Sequence, residues 1–151
     1  MATITYQQDY HAWTRHTAEL IRQGQFAEID IDHVAEELED MGASKERELE
    51  NRLGILLAHL LKWRHQPERR GARWETVIKE QRQRILRILR KNPSLKAGLE
   101  ETRRDAYSDA LLIAARETGL PEALFPQDCP FGWEQTIGDD WPEQDEESSF
   151  S

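Results

Sequence analysis

Residues 49–66 read LENRLGILLAHLLKWRHQ, and the fold turns on this stretch. Leu49, Leu53, Leu56, Leu57, Leu60 and Trp63 recur at steps of three and four, the spacing that places side chains on one face of an α-helix. Gln66 and Pro67 end the pattern, because proline has no amide proton and restricts the residue before it. Upstream, Ser44 is the expected N-cap of this helix, and Glu46 and Glu48 suit the positive end of its dipole. Before Ser44 a shorter helix is predicted from Asp30 or Asp32 to Gly42, with Val34, Leu38 and Met41 inward, Glu37 on the edge of that face and Glu36 in solvent. A first helix should run from about Asp9, which supplies a cap or a first-turn acid, to Gln23, stopped by Gly24, with Tyr6, Tyr10, Trp13, Thr17, Leu20 and Ile21 inward.

Downstream of Leu49–Gln66 the same period continues. After a short basic loop, residues 67–71, a helix from Arg73 to Asn92 carries Trp74, Val77, Ile78, Ile85, Ile88 and Leu89 on one face. Ser94 opens another to Thr118, burying Leu95, Leu99, Ala106, Ala110, Ile113 and Ala114 until Gly119 and Pro121 stop it. Its small residues let a neighbour approach closely. Beyond Pro121, Pro126, Pro130, Gly132, Gly138 and Pro142 alternate with Phe125, Phe131, Trp133 and Trp141, which suits a strap laid across the helices. The prediction is an all-α, single-domain bundle of four to five helices over residues 6–142 with an aromatic, proline-rich C-terminal strap. Residues 143–151 are expected to form a disordered acidic tail.

A chain of 151 residues can bury a full core without staples. The lone Cys129 forms no internal disulfide and points to a reducing compartment. With no basic and apolar N-terminal run and no apolar stretch near 20 residues, a cytoplasmic location and no membrane contact are expected. The net charge of −9 hides a segregation. Residues 9–50 hold 12 acids and 4 bases, residues 62–91 hold 11 bases and 3 acids, and residues 117–151 hold 10 acids and no base. The basic middle either contacts phosphates or is neutralised by the acidic flanks, and the negative total favours neutralisation.

Several polar residues fall on or beside the apolar stripes: His16, Glu37, Arg52, His59, Gln81 and Glu117. Buried polar groups must pair, so a network of Glu37 with His59 or Arg52, and of Gln81 toward Glu117, is expected. Glu37, His59, Gln81 and Glu117 are therefore the candidate catalytic cluster, with His59 a general base if Glu37 orients it. Glu37, His59 and Glu117 are also the metal candidates, although the Glu-x-x-His and His-Glu-x-x-His signatures are missing and no cofactor is expected. His11 and His65 lie on outward arcs. Cys129 has no neighbouring base to activate its thiol. Arg69, Arg70, Arg73, Arg82, Arg84 and Arg87 form the surface for an anionic partner, with Trp63 and Trp74 committed to core stripes rather than to stacking on bases.

Several strings in order carry a resemblance. They are Asp9-Tyr10-His11-Ala12-Trp13, Ala35-Glu36-Glu37-Leu38-Glu39, Leu56-Leu57-Ala58-His59-Leu60-Leu61-Lys62-Trp63, Gln66-Pro67-Glu68-Arg69-Arg70, Gln81-Arg82, Pro93-Ser94-Leu95, Glu117-Thr118-Gly119-Leu120 and Cys129-Pro130. From Tyr6 to Trp141 the chain resembles the domain-of-unknown-function family numbered twenty-nine. The resemblance implies a compact helical fold and a bacterial origin and implies no activity. The family's motif positions include Glu37, His59, Gln81, Arg82 and Glu117, and His11 departs from its usual aromatic. The leading expectation is a non-catalytic binding or interaction module whose partner is a protein or a second copy of the chain. A small metal-dependent or Glu/His-based hydrolase is the alternative, and nucleic-acid binding through the basic helix the third option.

Overall fold

The computed structural model describes residues 4–142, and among them every regular element is helical. Helix α1 spans Tyr10–Arg22, α2 Ile31–His65, α3 Ala72–Lys91, α4 Leu99–Thr118 and α5 Trp133–Ile137, with short 3₁₀ turns between them. The all-α expectation and the strap both hold. Residues 143–151, the expected disordered tail, lie outside the described residues. The chain forms two compact units, the first reaching Ser44 and the second starting at Lys45.

The ends of the helices follow from the caps. Asp9 accepts from the Ala12 amide at 3.0 Å and opens α1. Gly24, at φ 72°, and Gly119, at φ 74°, leave α1 and α4 through the left-handed conformation that favours glycine. The expected break between Gly42 and Ser44 does not occur. Residues 31–65 form one helix, with Gly42 and Ser44 inside it. An interior glycine costs only about 1 kcal/mol relative to alanine. Met41, Ala43, Lys45 and Glu46 around it are good helix formers, so the local stop signal is outweighed.

In the second unit the leucine stripe does what its spacing requires. Leu53, Leu56, Leu57, Leu60 and Leu61 are fully buried with Ile78 and Ile85 of α3 and Ala106, Ala110 and Ala114 of α4. Buried Gly54 lies where a β-carbon would meet the Ala106 carbonyl at 3.6 Å, so the small residues of α4 permit the close approach that their spacing predicts. The strap is pinned by polar anchors at its turns. The Tyr107 hydroxyl donates to the Pro126 carbonyl at 2.5 Å, Arg103 to Phe131, and Trp141 stacks on Trp63 with ring centres 4.4 Å apart. Phe125 and Phe131 complete the core.

Candidate functional site

The first unit carries a polar-aromatic cluster built on Tyr6, Tyr10, His33 and Glu37. Tyr6 stacks on the His33 imidazole at 4.4 Å and meets Trp13 edge-on at 5.1 Å. Its hydroxyl donates to Glu37 Oε1 at 2.9 Å, and that of Tyr10 donates to Glu37 Oε2 at 2.5 Å. One carboxylate thus takes two phenols, and the hydrogen bond to Glu37 is the main reason that both tyrosines are harder to ionise, Tyr6 being pushed up to about 12. His33 Nδ1 contacts Asp30 Oδ2 at 2.5 Å, which raises the imidazole's pKa and lowers the carboxyl's, while Gln7 meets its other nitrogen at 3.3 Å. Because Asp30 also caps α2 at the His33 amide, the cap and the ion pair are one device.

The network expected from sequence is divided differently. Glu37 and His59 stand on one helix about six turns apart, and each finds its partners in its own unit. His59 is half-buried, and its Nδ1 donates to the Ile55 carbonyl at 2.9 Å. A carbonyl can only accept, so the proton sits on Nδ1 and Nε2 keeps its lone pair. Burial lowers the His59 pKa, leaving a neutral ring at pH 7. Glu117 does join it electrostatically, through Lys62. The buried Lys62 ammonium pairs with the Glu117 carboxylate and lies 5.4 Å over Trp74. Burial alone would raise the Glu117 carboxyl, but the Lys62 bond and the charges of Lys62 and Arg116 hold it below its ordinary value. Gln81 does not bridge toward Glu117; its Oε1 accepts from Arg52 at 3.3 Å. Chemically, His59 is a base that no carboxylate orients by a hydrogen bond among the described residues.

Among the described residues no three His, Cys, Asp or Glu side chains gather to hold a metal ion, which corrects the grouping of Glu37, His59 and Glu117. His16 is exposed, and Thr17 takes the buried place beside it. His65, expected in solvent, packs edge-on to Phe125 at 5.1 Å and is lowered in pKa by burial. The Cys129 thiol is raised by burial, so it is a weak nucleophile.

The six arginines part into two groups. Arg82 is buried. Its guanidinium donates to the Thr136 and Gln135 carbonyls, each at 2.9 Å, to the Asp140 carbonyl at 2.7 Å, and stands over Trp141. Arg70 donates to the Trp63 carbonyl at 2.6 Å and covers the same indole. Both therefore hold the second unit together rather than face a partner. Arg69, Arg73, Arg84 and Arg87 are exposed.

A feature missed by the sequence reading lies on the first half of α2. Ile31, Val34, Leu38 and Met41 fall at helical spacing, but Ile31 is 66% exposed, Leu38 62% and Met41 63%, with Phe26 nearby in sequence at 61%. Periodicity identified the shared face and could not reveal that, among the described residues, Val34 is half-buried on it while Ile31, Leu38 and Met41 stay exposed.

Among the described residues no helix is long and apolar enough to cross a membrane. No curated protein and no solved structure matches the chain. One family model matches residues 5–142, described as Domain of unknown function DUF29. That match takes in the tyrosine–Glu37 cluster, His59 with Lys62 and Glu117, and the Arg82 anchor, so the chain belongs to the DUF29 family.

Proposed function

We propose that this protein is a non-catalytic interaction module whose first unit presents an acidic, apolar helical face to a basic amphipathic helix of a partner protein. The observation that carries this reading is the stripe on which Ile31, Leu38 and Met41 are exposed and Val34 is half-buried. Apolar side chains at i, i+3, i+7 and i+10 are the anchor pattern by which helices dock on one another. The flanks supply the sign of the partner. Asp32, Glu36, Glu39 and Asp40 are all exposed beside the stripe, and the chain up to Ser44 holds nine acids against two bases. A second copy presenting the same face would meet like charge, which disfavours pairing of copies through it. A basic partner gains both apolar burial and charge complementarity.

The half-buried His59 lacks an orienting carboxylate, and Glu117 is engaged by Lys62, which favours binding over hydrolysis. The cytoplasm is the compartment we assign, on the chain's single cysteine.

The test is titration of the protein into a labelled, roughly 18-residue Leu/Lys amphipathic helix. A scrambled peptide of the same composition serves as the control. The reading expects saturable binding that weakens about tenfold or more in a Leu38→Ser/Met41→Ser variant and falls with added salt. Equal binding of the scrambled peptide, or an unchanged affinity in the double variant, rejects the docking face.

A further inference from the structure

Within the second unit, α2 and the end of α3 border an open cleft of about 320 Å³. Lys45 and Arg52 line it from α2, and Arg84, Arg87 and Lys91 from α3, against a single carboxylate among the described residues, that of Glu48. The sources of neutralisation are local and incomplete. Glu48 accepts from Lys45 at 3.3 Å and from Arg52 at 3.2 Å, and Arg52 also reaches Gln81. The one carboxylate therefore holds two cations in place instead of cancelling the set. Glu80 pairs with Arg84 at 2.8 Å from the neighbouring turn. Arg87 and Lys91 form no ion pair among the described residues. The helix dipole accounts for basic residues in the last turn of α3. It does not account for Arg84, nearly two turns earlier, or for Arg52 on another helix.

We propose that this cleft is a binding site for a small anion carrying two or more linked phosphoryl groups, with Arg52, Arg84, Arg87 and Lys91 as its donors. Guanidinium forks suit phosphoryl oxygens because two parallel N–H groups match two oxygens. The size of the cleft suits a pyrophosphate group and its substituent rather than a nucleic-acid strand. Among the described residues no aromatic side chain lines it, so none of them is placed to stack on bases, and Trp63 is already stacked on Trp141. The chain's net charge of −9 opposes a long polyanion. A small anion feels chiefly the charges within a Debye length of about 8 Å, where this cleft is positive. The site depends on α2 and α3 of the second unit alone, so it stands or falls independently of the docking face.

Calorimetric titration with inorganic pyrophosphate, at about 50 and about 200 mM salt, tests the assignment, with inorganic phosphate and an oligonucleotide of about 12 nucleotides as competitors. The expected result is one site, pyrophosphate bound more tightly than phosphate, and a loss of about tenfold or more in an Arg87→Gln/Lys91→Gln variant. Both side chains are exposed, so the variant should fold, and an unchanged circular dichroism spectrum checks this. Arg104→Gln, exposed on α4 and outside the cleft, should bind like the parent. Absence of binding at the lower salt, an Arg87→Gln/Lys91→Gln variant that binds normally, or displacement of pyrophosphate by the oligonucleotide at lower concentration would each overturn it.

Discussion

The two units use the same helical period to opposite ends. In the second, Leu53, Leu56, Leu57, Leu60 and Leu61 of α2 are sealed beneath α3, α4 and the strap. In the first, Trp13, Thr17 and Leu20 of α1 are buried, yet Leu38 and Met41 of the same α2 lie open, and Tyr6, Tyr10, His33 and Glu37 tie the unit together at its surface. One half of α2 is thus held by apolar burial, and the other by aromatic stacking and hydrogen bonds at the solvent edge. Amphipathicity alone does not make a core; a neighbour must cover the stripe.

The contrast is broken most severely by cutting into the second unit. Arg82→Ala removes three hydrogen bonds from one guanidinium and strands the Thr136, Gln135 and Asp140 carbonyls. Charge-assisted bonds contribute about 1.5–3 kcal/mol each and are not additive, so a net loss of about 3–4 kcal/mol in urea unfolding is expected. Leu56→Ala, at a fully buried site, should cost about 3 kcal/mol. If either change is silent, the strap or the leucine core is misassigned.

Smaller effects belong to the first unit. Glu37→Ala deprives two tyrosines of their acceptor and should lower the melting temperature slightly. In the same variant the late-ionising Tyr6 and Tyr10 should titrate nearer 10 in ultraviolet absorbance. Gly42→Ala acts in the opposite direction. Its β-carbon would meet nothing within 4 Å and the residue is helical, so stability should rise by up to about 1 kcal/mol. A loss would show that α2 needs a bend there.

The units should also answer pH with opposite signs. His33 has a raised pKa, so its contribution is complete below 6.5 and is lost as pH rises through the folded value. His59 and His65 have lowered values, so theirs is complete above 6.5 and is lost as pH falls toward the folded values. Between about pH 5.5 and 8.5, amide exchange around α1 should quicken with pH more than the intrinsic chemistry explains. Around α3 and α4 the protection should instead weaken toward acid. Parallel slopes in both units would remove this distinction.

The period of the leucines, the Asp9 cap and the Gly24 and Gly119 exits were legible because each depends on residues within a turn or two of sequence. The strap was legible from its prolines and aromatics. Gly42 misled, since a glycine followed by serine resembles a stop and a cap, and only the surrounding helix formers decide otherwise. The candidate site was less legible. Glu37 meets tyrosines about thirty positions away, Lys62 reaches Glu117, and Gln81 turns to Arg52, pairings that a helical wheel cannot rank. Arg82 looked like surface charge because its three acceptors are backbone carbonyls, which no sequence pattern marks.

A Leu38–Met41 face that serves the proposed partner should contribute nothing to the fold. Thermal unfolding of the Leu38→Ser/Met41→Ser variant, followed by helical circular dichroism and by the indole resonance of Trp13, checks this. Two exposed side chains should leave the midpoint within about one degree of the parent. A fall of roughly ten degrees or more, the effect of removing two buried apolar groups from a domain of this size, would contradict it.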